Sequence, residues 1–132
     1  MIRVHSTTKS LAAAMERLNI RNAAAIQVDN TVFLSGLTAV DVNTGELIAG
    51  DIRDHARHTL ELYRTILADI GLSLDHVVKV NAYLTNAEDF TAWNEVYLEV
   101  FDAPYPCRTT VTAPPVFGLI ELELVASIEP RR

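Results

Sequence analysis

A single cysteine, Cys107, stands in 132 residues. No disulfide can form within the chain, and a reducing cytoplasm is the simplest home. No apolar run approaches the ~20 residues that a helix needs to cross a bilayer. The opening residues, Met1-Ile2-Arg3-Val4-His5-Ser6-Thr7-Thr8-Lys9, lack the apolar core of a secretion signal. Positive charge is in short supply: 11 Lys and Arg against 17 Asp and Glu leave a net charge of −6. That is the wrong sign for a nonspecific nucleic-acid surface. Low-complexity tracts, repeats and linkers are missing, as are a glycine-rich phosphate loop, a zinc spacing and a nucleophile elbow. Neither a membrane nor a nucleic acid is an expected partner, and the expected location is cytoplasmic.

What is present reads as a soluble globular chain, 49% hydrophobic and 21% charged. Its length fits one domain over residues 1–132 with a core of its own. Leu11, Ala14, Met15 and Leu18 share a face of a short helix expected over Ser10–Leu18. Ala23–Val28 and Thr31–Leu37 flank Asp29-Asn30 as two hairpin strands. Asp51 is a good N-cap for a helix whose apolar positions, from Ile52 to Ile70, keep helical spacing until Gly71. Val77–Leu84 alternates as a strand. Asn86-Ala87-Glu88-Asp89 then opens a helix running to about Phe101. Two final strands follow. The order ββ-α-β-α-ββ predicts an α+β fold, a mixed sheet with two main helices on one face.

The last two strands carry the chemistry. Pro106-Cys107-Arg108-Thr109-Thr110 opens a β-branched run, and Ile120-Glu121-Leu122-Glu123 follows the connection Pro114-Pro115-Val116-Phe117-Gly118. Pairing them as a hairpin about Val116 sets Glu121 roughly opposite Thr110. Residues two apart on a strand lie about 7 Å apart on one face, so Arg108 and Glu121 are expected as near neighbours. The arginine fork suits a carboxylate, and a carboxyl group handles a proton or a water. On the second helix Asn94 follows Phe90 by four residues and joins the stripe of Phe90, Trp93, Tyr97 and Phe101. A buried amide needs partners, either neighbouring backbone or a ligand.

Two other groupings carry bland readings. Asp51, Asp54, His55 and His58 share one helix face, which a metal could exploit, but capping and the helix dipole account for both aspartates. Cys107 has no histidine nearby in sequence to act as its base and reads as a small buried strand residue.

The segments Tyr105-Pro106-Cys107-Arg108-Thr109-Thr110-Val111 and Glu121-Leu122-Glu123-Leu124-Val125-Ala126 resemble the signature of the RidA/YjgF imine deaminases. Asn30-Thr31-Val32-Phe33-Leu34-Ser35-Gly36, Asn43-Thr44-Gly45-Glu46, Val77-Val78-Lys79-Val80 and Asp89-Phe90-Thr91-Ala92-Trp93-Asn94 match the same family in the same order. The resemblance implies a chorismate-mutase-like fold and hydrolysis of 2-imino or enamine acids to 2-keto acid and ammonia, with no metal or organic cofactor. It makes Arg108 the clamp on the substrate carboxylate and Glu121 the group that activates water. Gly36, Asn94 and Thr110 are implied as further pocket elements. It also implies a homotrimer whose sheets form a central barrel, with sites between subunits. Val32, Leu34, Val78, Val80, Leu122 and Leu124 are expected on the sheet face that a partner copy covers.

One departure stands out. The family's pocket tyrosine on the first strand aligns with Asn22, and Leu11–Arg21 diverges from the usual pattern. Loss of that ring is expected to leave a more open, polar wall and to favour a larger or more polar substrate, such as an aminomuconate-type acid. The alternatives from other classes are a non-catalytic module that binds or senses small carboxylates, and a ribonuclease. The latter is disfavoured by charge and by the lack of a suitable histidine pair.

Overall fold

The computed structural model describes residues 1–5 and 11–132. In chain order it runs β1 (Ile2–His5), α1 (Ala12–Leu18), β2 (Ala25–Val28), β3 (Thr31–Leu34), α2 (Ile52–Asp69), β4 (Val77–Leu84), α3 (Phe90–Val100), β5 (Cys107–Thr112) and β6 (Ile120–Ser127). Every expected helix and strand is present; Ser10, placed at the start of the first helix, lies outside the described residues. β1 is an addition, a short edge strand on β2.

The caps explain the helix boundaries. Asp51 has extended backbone and accepts the Asp54 N–H at 3.1 Å, while Asp54 accepts the Asp51 N–H at 3.0 Å. This reciprocal box satisfies two amides that the first turn leaves free. It also holds the Asp51 carboxyl below its ordinary range, chiefly through the Asp54 backbone. α2 then buries Ala56, Leu60, Tyr63 and Leu67 against the sheet and lies beside α3.

The sheet is mixed and six-stranded, in the order β1-β2-β3-β6-β4-β5. Only β4 and β5 run parallel. This overturns the expected terminal hairpin: β5 and β6 are not partners, because β4 lies between them. Parallel neighbours require a crossover, and α3 supplies it.

The register settles which way each side chain points. Val80 pairs with both Arg108 and Leu124, and Tyr83 pairs with both Val111 and Glu121. Ladder partners share a face and neighbours along a strand alternate. Arg108 and Thr110 therefore lie on the helix-covered face with Val80, Ala82, Leu122 and Leu124. Glu121 and Glu123 lie on the other. The apolar set expected on the uncovered face is thereby corrected for five of its six members: Val32, Leu34, Val80, Leu122 and Leu124 are core residues under the helices, while Val78 is exposed. The face without helices instead carries Phe33, 51% exposed, and Val111, 43% exposed, with Lys79, Asn81, Tyr83 and the two glutamates between them.

Candidate functional site

Arg108 is held by aromatic rings. Phe90, Trp93 and Tyr97 recur at helical spacing along α3 and so face the same way onto β5. The guanidinium carbon lies 4.2 Å from the Tyr97 ring centre, 5.6 Å from that of Phe90 and 6.0 Å from that of Trp93. Such rings hold a cation by their electron-rich faces without neutralising it. One guanidinium nitrogen, Nη1, is buried with no hydrogen-bond partner, and among the described residues Arg108 makes no ion pair. Trp93 Nε1 donates to the Thr110 hydroxyl at 3.1 Å, which fixes the indole at the floor of this site. Next to Trp93, Asn94 is half-buried, and its amide has no hydrogen-bond partner among the described residues. A cationic donor held among aromatic rings can donate a hydrogen bond to an anionic group on its side of the recess. The expectation that Cys107 is a small buried strand residue is corrected: it is exposed, because its side chain alternates with the inward-facing Arg108.

Glu121 belongs to a second recess, a cleft of about 280 Å³ whose polar lining includes Asn22, Ser35, Gly36 and Glu121. Gly36 leaves room for the Glu121 carboxyl: a Cβ on it would stand 2.6 Å from Glu121 Oε2, so the carboxyl would have to shift. Burial pushes the Glu121 carboxyl up, and the neighbouring Glu123 adds to the shift. Glu123 is itself fixed, accepting from Asn81 Nδ2 and Tyr83 Oη, each at 3.2 Å. Behind the cleft, Tyr63 Oη lies 2.7 Å from the carbonyl oxygens of both Ser35 and Leu122. Burial, with Glu121 and Glu123 close by, pushes its phenol far up, so it stays a neutral donor. Tyr63→Phe should lower stability by about 1–3 kcal/mol, because it strips a buried donor from these carbonyls. A thermal melt measures this, and an unchanged melt would remove Tyr63 from the support of the cleft.

Within one chain, then, the expected cluster is divided. Arg108, Thr110 and Asn94 stand together on one side of the sheet, and Glu121, Gly36 and Asn22 line the cleft on the other. Asn22 is a neighbour of Glu121, not of Arg108. Nor does it leave a polar wall: α1 and Phe117 line the same cleft with apolar side chains. Tyr63, Phe117 and the support of Glu123 were not foreseen. The alternation of Glu121 and Glu123 along β6 was the available signal for the last.

The aspartates of the candidate metal face are the α2 capping pair, and the histidine rings reach backbone carbonyls: His55 Nε2 to Ile48 at 3.1 Å and His58 Nε2 to Val40 at 2.6 Å. Among the described residues no group of three His, Cys, Asp or Glu is placed to hold a metal, and no helix is long and apolar enough to cross a membrane.

The family model described as endoribonuclease L-PSP matches residues 13–128. The chain belongs to this family, the RidA/YjgF family. A 2-iminobutanoate/2-iminopropanoate deaminase from Dermatophagoides farinae is 38% identical over 80% of this chain and 84% of its own length. The crystal structure of RidA from an Antarctic Psychrobacter superposes with a TM-score of 0.83, at 34% identity over 96% of this chain and all 100% of that one. Escherichia coli TdcF, solved with bound serine, superposes at 0.73 with 34% identity over 80% of this chain and 86% of its own. The RidA fold is thus common to all of them.

Proposed function

We propose that this protein is a hydrolytic deaminase of 2-imino and enamine carboxylic acids, converting C=N and water into a 2-keto acid and ammonia. The observation that carries the reading is the buried, unpartnered nitrogen of Arg108 in its aromatic recess. A fixed cation with a fork of donors and no carboxylate of its own fits a substrate carboxylate. The deaminase named among its relatives accords with this.

The reaction needs a water held against the imine carbon, and the Glu121 carboxyl beside Gly36 suits that role. Its cleft lies across the sheet from Arg108, so the reading includes assembly. We take the working unit to be a ring of three copies in which Arg108, Asn94 and Thr110 of one meet Glu121, Gly36 and Asn22 of the next. A closed ring uses two different patches, one from each neighbour, as these recesses require. The exposed apolar groups on the uncovered face, Phe33 and Val111 among them, give the copies a surface to bury. Light scattering should give three times the 14.6 kDa chain mass; a monomer at micromolar concentration would contradict the assembly.

Catalysis then rests on proximity and fixed charge. Arg108 sets the carboxylate, Glu121 takes a proton from the attacking water, and the same carboxyl returns it to the departing nitrogen. Enzyme-dependent release of ammonia from 2-iminobutanoate generated in solution tests the reading. A rate no greater than spontaneous hydrolysis would overturn it. The serine bound to TdcF favours a second reading, a module that holds small amino or keto acids without turning them over, and the same assay separates the two.

The proton role sets a pH dependence. Glu121 must be ionised to accept a proton, and its carboxyl is raised, so the acidic limb of kcat/KM should lie above the ordinary carboxylate range. Burial is the larger cause and Glu123 the smaller. Glu123→Gln should therefore move that limb down in pH without returning it to the ordinary value. A limb that stays in place would separate Glu123 from the titration.

A further inference from the structure

The cleft beside Glu121 extends beyond its polar residues. α1 forms its outer wall: Leu11 and Ala14 are buried, at 4% and 3% exposure, and Met15 and Leu18 complete the apolar side of the turn. Phe117, from the connection between β5 and β6, also lines the cleft. Arg17 pins the helix in place, donating to the Thr44 carbonyl and to Glu46 at 3.2 Å. Asn19 ends α1 in the left-handed conformation, at φ 53° and ψ 39°, and turns the chain so that Asn22 reaches the cleft. Among the described residues Glu121 is the only charged one on the lining. The volume of about 280 Å³ holds on the order of ten non-hydrogen atoms, at roughly 30 Å³ for each water displaced.

We infer that the recess under α1 is a side-chain subsite, and that it selects 2-imino acids carrying a branched aliphatic group of leucine size over 2-iminopropanoate. This deepens the deaminase reading and rests on Glu121 as its reacting end. The substrate's imine carbon would stand at Glu121, its carboxylate would extend out of the cleft toward Arg108 of the neighbouring copy, and its side chain would enter between Met15, Leu18 and Phe117. A second carboxylate on the substrate would enter an apolar recess with only Glu121 to meet it, so dicarboxylic substrates are disfavoured.

The imines of alanine, 2-aminobutyrate and leucine, each generated in solution by an amino-acid oxidase, provide the test. Each buried methylene should raise kcat/KM about fourfold, so the leucine-derived imine should exceed the alanine-derived one by on the order of 50-fold. Met15→Glu should pull that ratio toward one, because it sets a carboxylate in the recess. Calorimetry on the unaltered protein avoids any question of folding: 4-methyl-2-oxopentanoate should bind more tightly than 2-oxopropanoate, by a similar factor. If all the imines are turned over but with a flat ratio, the subsite is refuted and the deaminase reading stands. If none is turned over but the binding preference holds, the deaminase reading is refuted and the recess stands.

Discussion

Arg108→Ala should abolish imine turnover while leaving the protein folded. The side chain touches Tyr97, Phe90 and Trp93, but its buried Nη1 meets no protein acceptor, so truncation removes an unsatisfied group as well as ring contacts. On the proposed reading the substrate carboxylate loses the cation that clamps it. Truncating one member of a desolvated charge pair costs about 2–5 kcal/mol, or roughly 30- to 5,000-fold in kcat/KM. Arg108→Lys should fail nearly as badly: the ammonium retains the charge but loses both the fork and the flat stack on the rings. Steady-state kinetics with a melting curve checks both variants. Near-normal turnover by the alanine variant would end the clamp assignment.

Glu121→Gln should be the other severe loss, on the order of 10²- to 10⁴-fold in kcat, the usual contribution of a positioned acid–base group. The amide retains the size and a hydrogen-bonding oxygen but can accept no proton. Its effect on stability has a definite sign. The folded state raises the Glu121 carboxyl, so it binds a proton more readily than the unfolded chain does. Stability from this group is fully present below the ordinary carboxylate value and falls as pH rises through the raised one. Glu121→Gln should remove that decline, leaving the variant relatively more stable near neutral pH than in acid. Melting curves across the acidic range reveal it; identical pH profiles for the two proteins would argue that Glu121 is not held in a burying site. Gly36→Ala offers a complementary perturbation, since its methyl would meet Oε2 at 2.6 Å and displace the carboxylate without removing it.

Local signals in the sequence located the elements well. The Asp51 cap, the helical spacing from Ile52 onward and the stop at Gly71 all reflect forces acting within a few residues, and α2 follows them. The apolar positions Leu11, Ala14, Met15 and Leu18 likewise foretold α1. Strand partnership was less legible. Two β-rich runs joined by a Pro-Pro loop look like a hairpin, yet nothing in either run encodes which edge it will meet. The informative pattern was longer in range: strand, helix, strand over Val77–Thr112, the arrangement that makes neighbouring strands parallel. With β4 between β5 and β6, the register aligns Glu121 through Tyr83 with Val111 and not with Thr110, and that one-residue difference puts it on the face opposite Arg108. Cys107 is left outward, as alternation requires once Arg108 points in. The residues of the candidate site were therefore legible, while their division between two recesses depended on pairings that only the folded sheet displays.

That division makes the central claim directly testable. Arg108→Ala and Glu121→Gln chains, each inactive alone, can be mixed, unfolded and refolded together. If each site takes Arg108 from one copy and Glu121 from its neighbour, an equal mixture of rings should have about a quarter of its sites intact and recover activity accordingly. If a single chain supplies both residues, every site in the mixture carries a lesion, and a mixture as inactive as its separate components would contradict the shared site.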